Sequence, residues 1–483
     1  MTCFVIGQQR KFVGFMVTSL RFTKKNRGYH LSLETVNDII LPMLKPYQTI
    51  SLSIDSMGSA GEGIGLYHGM RIFVDGALPG ECVEAQLTVV KKTYAKGIAR
   101  QILTPSPDRV RPPCPYFDRC GGCQVMHLNY EAQLKIKQKR VQDALERIGG
   151  FKGVSVNPCV PSPEIYGYRN KIQLPVQGSP LKIGLYERRS HNLIDIEACL
   201  IHCDLGEALF RDIRRLLSVS DIKPYCTRTG KGELRHVLIK SAINRGEALV
   251  VFVANGDASS SLKYLAKTLF EKHEALKGIV LNRNRGRTNA ILGKHYQTLE
   301  GQGTIEEVIC GLRFKVSPAS FFQVNVHQAE ALYQYVVDAA RSAGSVIDAY
   351  CGVGTLSLLL ASRNKHVVGI ESVPQAIEDA RQNAAANQLS NVHFLCQPVE
   401  QALDHLIRGD LLILNPPRKG CAPEVIDAVS QKRLIYVSCD PATCARDLSR
   451  LNGYDIVKVQ PFDMFPQTSH VETVVVLEKS AEA

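Results

Sequence analysis

The chemistry-bearing residues of this 483-residue chain concentrate toward its carboxyl end. An apolar run from Leu434 to Val437 leads straight into Ser438-Cys439-Asp440-Pro441. A cysteine is usually a small core residue, and Cys444, inside the helical stretch that follows, reads that way. Cys439 instead follows its run directly, on the rim where an α/β sheet binds ligands. Upstream, Asp348-Ala-Tyr350-Cys-Gly352-Val-Gly354-Thr355 follows another apolar run, and its glycines let the backbone turn tightly against a ligand. Glu371 ends the next run, placed to accept hydrogen bonds from ribose hydroxyls. Ser357 stands where a dinucleotide fingerprint has its third glycine, so no pyrophosphate is expected, and Asp348 suits a cationic ligand. S-adenosylmethionine, with a ribose, a sulfonium and no phosphate, fits these residues better than NAD. A methyl donor beside a thiol suggests covalent activation of a pyrimidine. The thiolate adds to C6, C5 becomes nucleophilic and takes the methyl, and a base removes the C5 proton. Asp440, His470 and Glu472 are equal candidates for that base.

Two further groups bear on chemistry. Cys114-x5-Cys120-Gly-Gly-Cys123 places three thiols on a proline- and glycine-rich loop. This spacing differs from paired CxxC zinc sites, and an iron–sulfur cluster needs a fourth thiolate. Spacing does not separate Cys159, Cys199, Cys203 and Cys226 for that place, and iron–sulfur and zinc both stay open. Asn415-Pro-Pro-Arg418 ends the apolar run from Leu411 to Leu414. Its prolines lock the backbone, so a polar side chain and carbonyls there can meet a planar substrate.

The elements that must position these groups follow from composition and periodicity. With 45% apolar and 22% charged residues the chain is an ordinary globular one of several domains, which excludes collagen, coiled coil and wholesale disorder. No apolar run approaches a membrane span. Fifteen cysteines in so long a chain read as reduced thiols, ligands or a nucleophile, and place the protein in the cytoplasm. Residues 1–310 carry 43 basic against 28 acidic side chains, and residues 311–483 carry 15 against 18. This asymmetry suggests a polyanion-binding front joined to a catalytic back. Residues 1–46 lack sustained periodicity, and the basic run from Arg21 to Arg27 is typical of a poorly ordered leader or an RNA-contacting arm. Five short period-two runs between Ile50 and Leu103, broken by glycines, predict a small closed barrel. Lys91-Lys92-Thr93-Tyr94-Ala95-Lys96 reads as a phosphate-binding hairpin tip or a merely solvated one. A helix is predicted from Tyr130 to Ile148, with Lys135, Lys137, Lys139 and Arg140 off its apolar stripe. The window from Lys91 to Arg140 is the most basic in the chain. Residues 151–310 read as α/β without further detail, with an exposed basic loop from Asn282 to Arg287. Beyond them, apolar strands alternate with helices and predict a parallel sheet buried on both faces.

Taken together these residues resemble the RNA (uracil-5-)-methyltransferase family, in particular its iron–sulfur branch that methylates 23S ribosomal RNA. The resemblance runs from about residue 48 to 480. It rests on the barrel, the cysteine loop, Tyr168-Arg-Asn-Lys171, Ser320-Phe-Phe-Gln-Val-Asn325, the turn from Asp348 to Thr355, Ser438-Cys-Asp-Pro441 and Phe465-Pro-Gln-Thr-Ser-His-Val-Glu472.

The resemblance implies an α/β multidomain fold. It has a leader at 1–47, an OB-like TRAM barrel at 48–105, a central α/β iron–sulfur domain at 106–310 and a Rossmann-like S-adenosylmethionine-dependent domain at 311–483. It implies that Cys114, Cys120, Cys123 and Cys199 hold a 4Fe–4S cluster, Cys199 because Glu197-Ala-Cys199-Leu-Ile201 matches the fourth-ligand context. Gln323, Tyr350 and Glu371 match positions that bind S-adenosylmethionine, with Asp348, Gly352 and Asn415 beside them. Cys439 matches the nucleophile and Glu472 the base. Phe321 lies where the family places an aromatic near flipped nucleotides. Asn415 departs from the family's Asp, keeping its shape while losing its charge and adding donors. The implied partner is ribosomal RNA, the implied state a monomer away from membranes. A transfer RNA methyltransferase is the alternative within the same chemistry. A non-catalytic RNA-binding assembly factor draws support from Asn415 and is opposed by Cys439 and Glu472. A radical methylthio enzyme would need Cys-x3-Cys-x2-Cys, which is not the spacing here.

Overall fold

The structure, a computed structural model, describes residues 19–25, 28–34, 44–363, 366–406 and 408–480. Within the segment read as a leader, Ser19–Lys25 pairs antiparallel with Gly28–Glu34, so part of the basic run lies in a ladder. Residues 1–18 and 35–43 lie outside the described residues.

The predicted barrel is one six-stranded sheet of Thr49–Ser53, Ser56–Met57, Gly63–Tyr67, Met70–Asp75, Cys82–Val90 and Tyr94–Thr104. The two-residue strand is an addition to the runs visible in the sequence. Alternation puts Ile50, Leu52, Ile72, Val74, Val83, Ala85 and Leu87 inside. Gly65 is required where two strands close on each other, because a Cβ there would lie 2.1 Å from the Ser53 carbonyl oxygen. Tyr94 packs edge-on against Phe73, with ring centroids 5.8 Å apart.

The central domain is a mixed seven-stranded sheet. Its helices Asp204–Ser218 and Ser260–Lys272 cover it through Leu209, Phe210, Ile213, Leu262 and Leu269, against Val250 and Phe252. The second helix is the crossover between the parallel pair Glu247–Ala254 and Leu276–Arg283.

The carboxyl-terminal sheet contains β1 (Ser345–Ala349), β2 (His366–Glu371), β3 (Val392–Cys396), β4 (Leu411–Leu414), β5 (Arg433–Ser438), β6 (Tyr454–Phe462) and β7 (Glu472–Lys479), in the spatial order 3-2-1-4-5-7-6. Strands β1 to β5 are parallel, as the apolar runs predict. The two last strands were not anticipated. β7 runs antiparallel between β5 and β6, which explains its unbroken buried run from Val474 to Leu477.

The helix Tyr130–Arg147 starts where Asn129 accepts the Ala132 amide at 2.8 Å. It lies within the 106–310 span, yet Val141, Ala144 and Leu145 pack with Leu434, Tyr436 and Leu448 of the carboxyl-terminal domain. Among the described residues no helix is long and apolar enough to cross a membrane.

Candidate functional site

The chain leaves β1 and β4 in opposite lateral directions, and the crevice this opens at the strands' carboxyl ends is the usual ligand position of such sheets. A cavity of about 840 Å³ fills it, within the range of small-molecule sites. Phe321, Gln323, Asp348, Tyr350, Gly352, Glu371, Asn415, Cys439 and Glu472 all line it. Residues scattered over 150 positions therefore share one wall, because each ends a strand or lies in the loop above one.

On the cofactor side, Tyr350, Gly352 and Gly354 take left-handed φ values of 65°, 57° and 78°. Together they swing the chain from β1 into the helix Thr355–Ala361. A tyrosine in that region costs on the order of 1–3 kcal/mol, a strain concentrated at functional sites. Glu371 braces the turn, accepting the Gly352 N–H at 3.2 Å and, through its other oxygen, the Ser372 and Val373 amides at 2.7 and 2.9 Å. Asp348 is buried beneath the turn and accepts the Ser357 hydroxyl at 2.5 Å, so Ser357 does more than occupy a glycine position. Burial pushes the Asp348 carboxyl up to about 7, and one of its oxygens has no partner. The loop above is clamped from the central domain. Lys240 donates to the Ser317 and Ser320 carbonyls at 2.6 and 2.8 Å, and the Asn170 amide to the Gln323 carbonyl at 3.0 Å. Phe321 projects from it, 68% exposed.

On the thiol side, β5 and β7 pair with Ser438 opposite Thr473, so Cys439 and Glu472 face each other at the sheet's end. Glu472 is 4% exposed, and burial raises it to about 8 against the pull of Arg418. Burial and the neighbouring Glu472 raise the Cys439 thiol, whereas Arg418 lowers it through its charge and a hydrogen bond. Arg418 thus acts on both groups. Nothing in the spacing of Asn415-Pro-Pro-Arg418 marks this role for Arg418. The two other base candidates are engaged elsewhere. Asp440 caps the helix Pro441–Leu448, accepting the Ala442 and Thr443 amides at 3.0 Å each. Burial, with Arg418, Arg140 and Lys137 nearby, pushes His470 down to about 4, so it is a neutral ring at pH 7. Cys444 is buried core.

The segment from Asp463 to His470, which delivers Glu472 to the site, is tied down from outside its own domain. Lys137, 2% exposed, donates to Asp463 and to the Phe465 carbonyl, the latter at 3.1 Å. Arg140 donates to the Ser469 carbonyl. The Gln124 and Val125 amides donate to the Gln467 carbonyl at 3.1 Å, the Tyr168 hydroxyl to the Pro466 carbonyl at 3.0 Å, and the Ser469 hydroxyl to the barrel's Ser59 carbonyl at 2.9 Å. Two of the four basic residues expected off the helix's apolar stripe are therefore turned inward. The signal was present: Lys137 lies four residues from both Gln133 and Val141, on the buried face.

Cys114, Cys120, Cys123 and Cys199 converge. After burial, charge repulsion from Cys199, Cys120 and Cys114 is what raises the Cys123 thiol, and burial takes Cys199 up to about 12. Cys123 and Cys199 pack with Tyr168, Ile201 and Val324. Arg188 gathers the loop, donating to the Phe117, Cys120 and Cys123 carbonyls at 3.0, 3.1 and 3.1 Å. Of the alternatives, Cys203 caps the helix Asp204–Ser218, Cys159 is buried near Asp463 and Cys226 is exposed. Among the described residues no three His, Cys, Asp or Glu side chains close on a single ion position.

The family profile described as tRNA (Uracil-5-)-methyltransferase matches residues 266–480, and the TRAM domain profile matches residues 45–99. A protein of Halalkalibacterium halodurans described as an uncharacterized RNA methyltransferase is 40% identical over 442 residues, 89% of this chain and 96% of that protein. One of Gloeobacter violaceus, described in the same words, is 42% identical over 445 residues, 90% and 97% of the two chains. The chain belongs to the RNA (uracil-5-)-methyltransferase family. This methyltransferase is also similar to the crystal structure of Pyrococcus abyssi tRNA (uracil-54, C5)-methyltransferase in complex with S-adenosyl-L-homocysteine. The TM-score is 0.73 at 28% identity, over 89% of this chain and all of that one.

Proposed function

We propose that this methyltransferase forms 5-methyluridine in 23S ribosomal RNA through a covalent adduct between Cys439 and C6 of the target uridine. The observation that carries the reading is the β5–β7 register, which sets Cys439 opposite Glu472 on the wall of a cavity that also meets the cofactor turn. S-adenosylmethionine would supply an electrophilic methyl group on a sulfonium, held by Gln323, Tyr350, Gly352 and Glu371 with Asp348 beneath. The Cys439 sulfur bonds to C6, and the electron pair displaced onto C5 takes up the methyl. Glu472 then removes the C5 proton, and the returning pair expels the thiolate from C6. Arg418 favours the thiolate before addition and the carboxylate before elimination. Phe321, exposed at the rim, offers a stacking surface to an unstacked base, and Asn415 offers both a donor and an acceptor.

The thiols of Cys114, Cys120, Cys123 and Cys199 fit a 4Fe–4S cluster. Four thiols are the ligand type and number such a core takes, and its iron would offset the burial and mutual repulsion that raise these groups. The cluster would hold the loop whose Gln124 and Val125 amides fix Gln467. Reduced thiols support a location in the reducing cytoplasm, and a monomer is the proposed state. The ribosomal target is preferred on this cysteine set and the barrel. Transfer RNA is the second reading, favoured by the likeness to the Pyrococcus abyssi enzyme. Mapping 5-methyluridine in ribosomal and transfer RNA from cells with and without the protein tests both. A uridine in 23S RNA that loses its methyl group supports the first, one in transfer RNA the second, and no change in either refutes both.

A further inference from the structure

The exposed basic loop seen in the sequence is held in shape from below. It joins Leu276–Arg283 to His295–Gly301, and three buried polar side chains fold it. Asn282 exchanges hydrogen bonds with Gly293, its Oδ1 accepting the amide at 2.7 Å and its Nδ2 donating to the carbonyl at 3.0 Å. The Asn284 side chain donates to the Ala290 and Ile291 carbonyls at 2.7 and 2.9 Å and accepts the Gly286 amide at 3.0 Å. Arg235, stacked over Tyr225 at 4.5 Å, donates to the Asn284 and Gly286 carbonyls at 2.7 Å each. What this framework presents outward is Arg285, Arg287, Thr288 and Asn289, all exposed.

Arg235 and Tyr225 also bring a second loop alongside. There the Cys226 and Lys231 backbones pair in a tight turn that exposes Arg228 and Lys231. Among the described residues, Arg228, Lys231, Arg285 and Arg287 form no ion pair, while the nearby acids are occupied: Asp257 by Arg283 at 2.6 Å, Glu233 by the Ser259 amide at 2.7 Å. Four cations thus lack an ion-pair partner on a preorganised double loop, at some cost in self-repulsion, with the Glu233 carboxylate as one nearby negative charge. A merely solvated face needs no such interior.

We infer that this double loop is a docking surface for RNA backbone phosphates, separate from the catalytic cavity. Guanidinium groups suit phosphate oxygens geometrically, and exposed Thr288 and Asn289 add neutral donors. The surface lies at the Leu234 end of the strand Leu234–Ala242. Lys240, at the other end, holds the Ser317 and Ser320 carbonyls below Phe321. Six residues of strand separate the two, about 20 Å. An RNA that places a uridine at Cys439 would therefore reach this surface with nucleotides several positions away from that uridine. The inference rests on the proposed RNA methylation, and its test separates the two.

The test compares the full-length protein with Arg228→Gln/Arg285→Gln/Arg287→Gln, all at exposed positions outside the cavity. Binding to 23S transcripts is measured by filter retention across a salt series, and methyl transfer from labelled S-adenosylmethionine is measured on the same RNAs. Short fragments bracketing the modified uridine are run alongside. The expected result is affinity for the long transcript weakened about tenfold or more, with the salt slope reduced by about 2 units for three lost phosphate contacts. The kcat, the KM for S-adenosylmethionine and binding of the short fragment should stay unchanged. Equal affinity and slope on the long RNA would overturn the inference, as would an equal loss on short and long RNAs, which would place these arginines at the target site. If the unaltered protein methylates neither RNA but binding still depends on the arginines, the surface stands and the proposed reaction falls.

Discussion

At the scale of single residues, the proposed reaction assigns addition to Cys439 and elimination to Glu472. Cys439→Ala should abolish methylation and leave no protein–RNA adduct, since the facing group, Glu472, is a carboxyl and, among the described residues, the other thiol on the cavity wall is the partly buried Cys351 within the cofactor turn. Glu472→Gln should still add and methylate, then stall, giving methylated RNA joined to protein on a denaturing gel. An adduct persisting in Cys439→Ala would show the wrong thiol has been named. The pH dependence has a definite sign. As the proposed base, Glu472 must be deprotonated, and burial raises it to about 8, so adduct resolution in single-turnover experiments should accelerate as pH rises toward about 8. Arg418 lowers both Glu472 and Cys439, so in Arg418→Met the rising limb should move to higher pH, with a slower rate at pH 7. A profile that keeps its position would remove Arg418 from the account. The position of Cys439 was legible because its motif ends a strand, whereas Glu472 stood level with Asp440 and His470 and was singled out only by the resemblance. Arg418 was not legible, because its effect comes through groups 21 and 54 positions away.

At the scale of elements, the helix Tyr130–Arg147 shows how one stretch serves another. Its Lys137 forms a buried ion pair with Asp463, and removing one partner of such a pair leaves the other charge buried. Lys137→Ala should therefore cost about 3–5 kcal/mol in denaturant unfolding, whereas Lys137→Met with Asp463→Leu should recover most of it. Because the same lysine also holds the Phe465 carbonyl, the double variant should regain stability more fully than its rate of adduct resolution. Recovery of both together would reduce the pair to a stability element. The helix itself was readable from its apolar spacing, but its partner was not, since Asp463 is 326 residues away. β7 escaped for a related reason. An antiparallel strand inserted between two others is buried on both faces and shows no alternation to read.

At the scale of the whole molecule, the barrel, the cysteine loop and the long helix all grip the segment that carries Glu472. If Cys114, Cys120, Cys123 and Cys199 hold a 4Fe–4S cluster, anaerobically purified protein should be brown with iron and sulfide near about four each per chain. Colourless protein with one zinc would defeat that. Cys114→Ser should loosen the cysteine loop and lengthen adduct lifetime, while S-adenosylmethionine binding, measured by calorimetry, should change little because Glu371 and Asp348 brace the cofactor turn within its own domain. The sequence by itself determined the order of the barrel and the methyltransferase sheet, the parallel strands with their turn glycines, and the place of Cys439 at a strand end, because short-range periodicity and strand-end spacing are local properties of a chain. Only the tertiary structure decided which carboxyl faces Cys439, that Lys137 and Arg140 are struts, that Asp348 and Glu371 brace a turn, and that the exposed arginines of two loops form one surface. Each of these depends on burial or on pairing across long stretches of chain, where proximity and the loss of water set the charge and hydrogen bonding of a group, and neither is encoded at any single position.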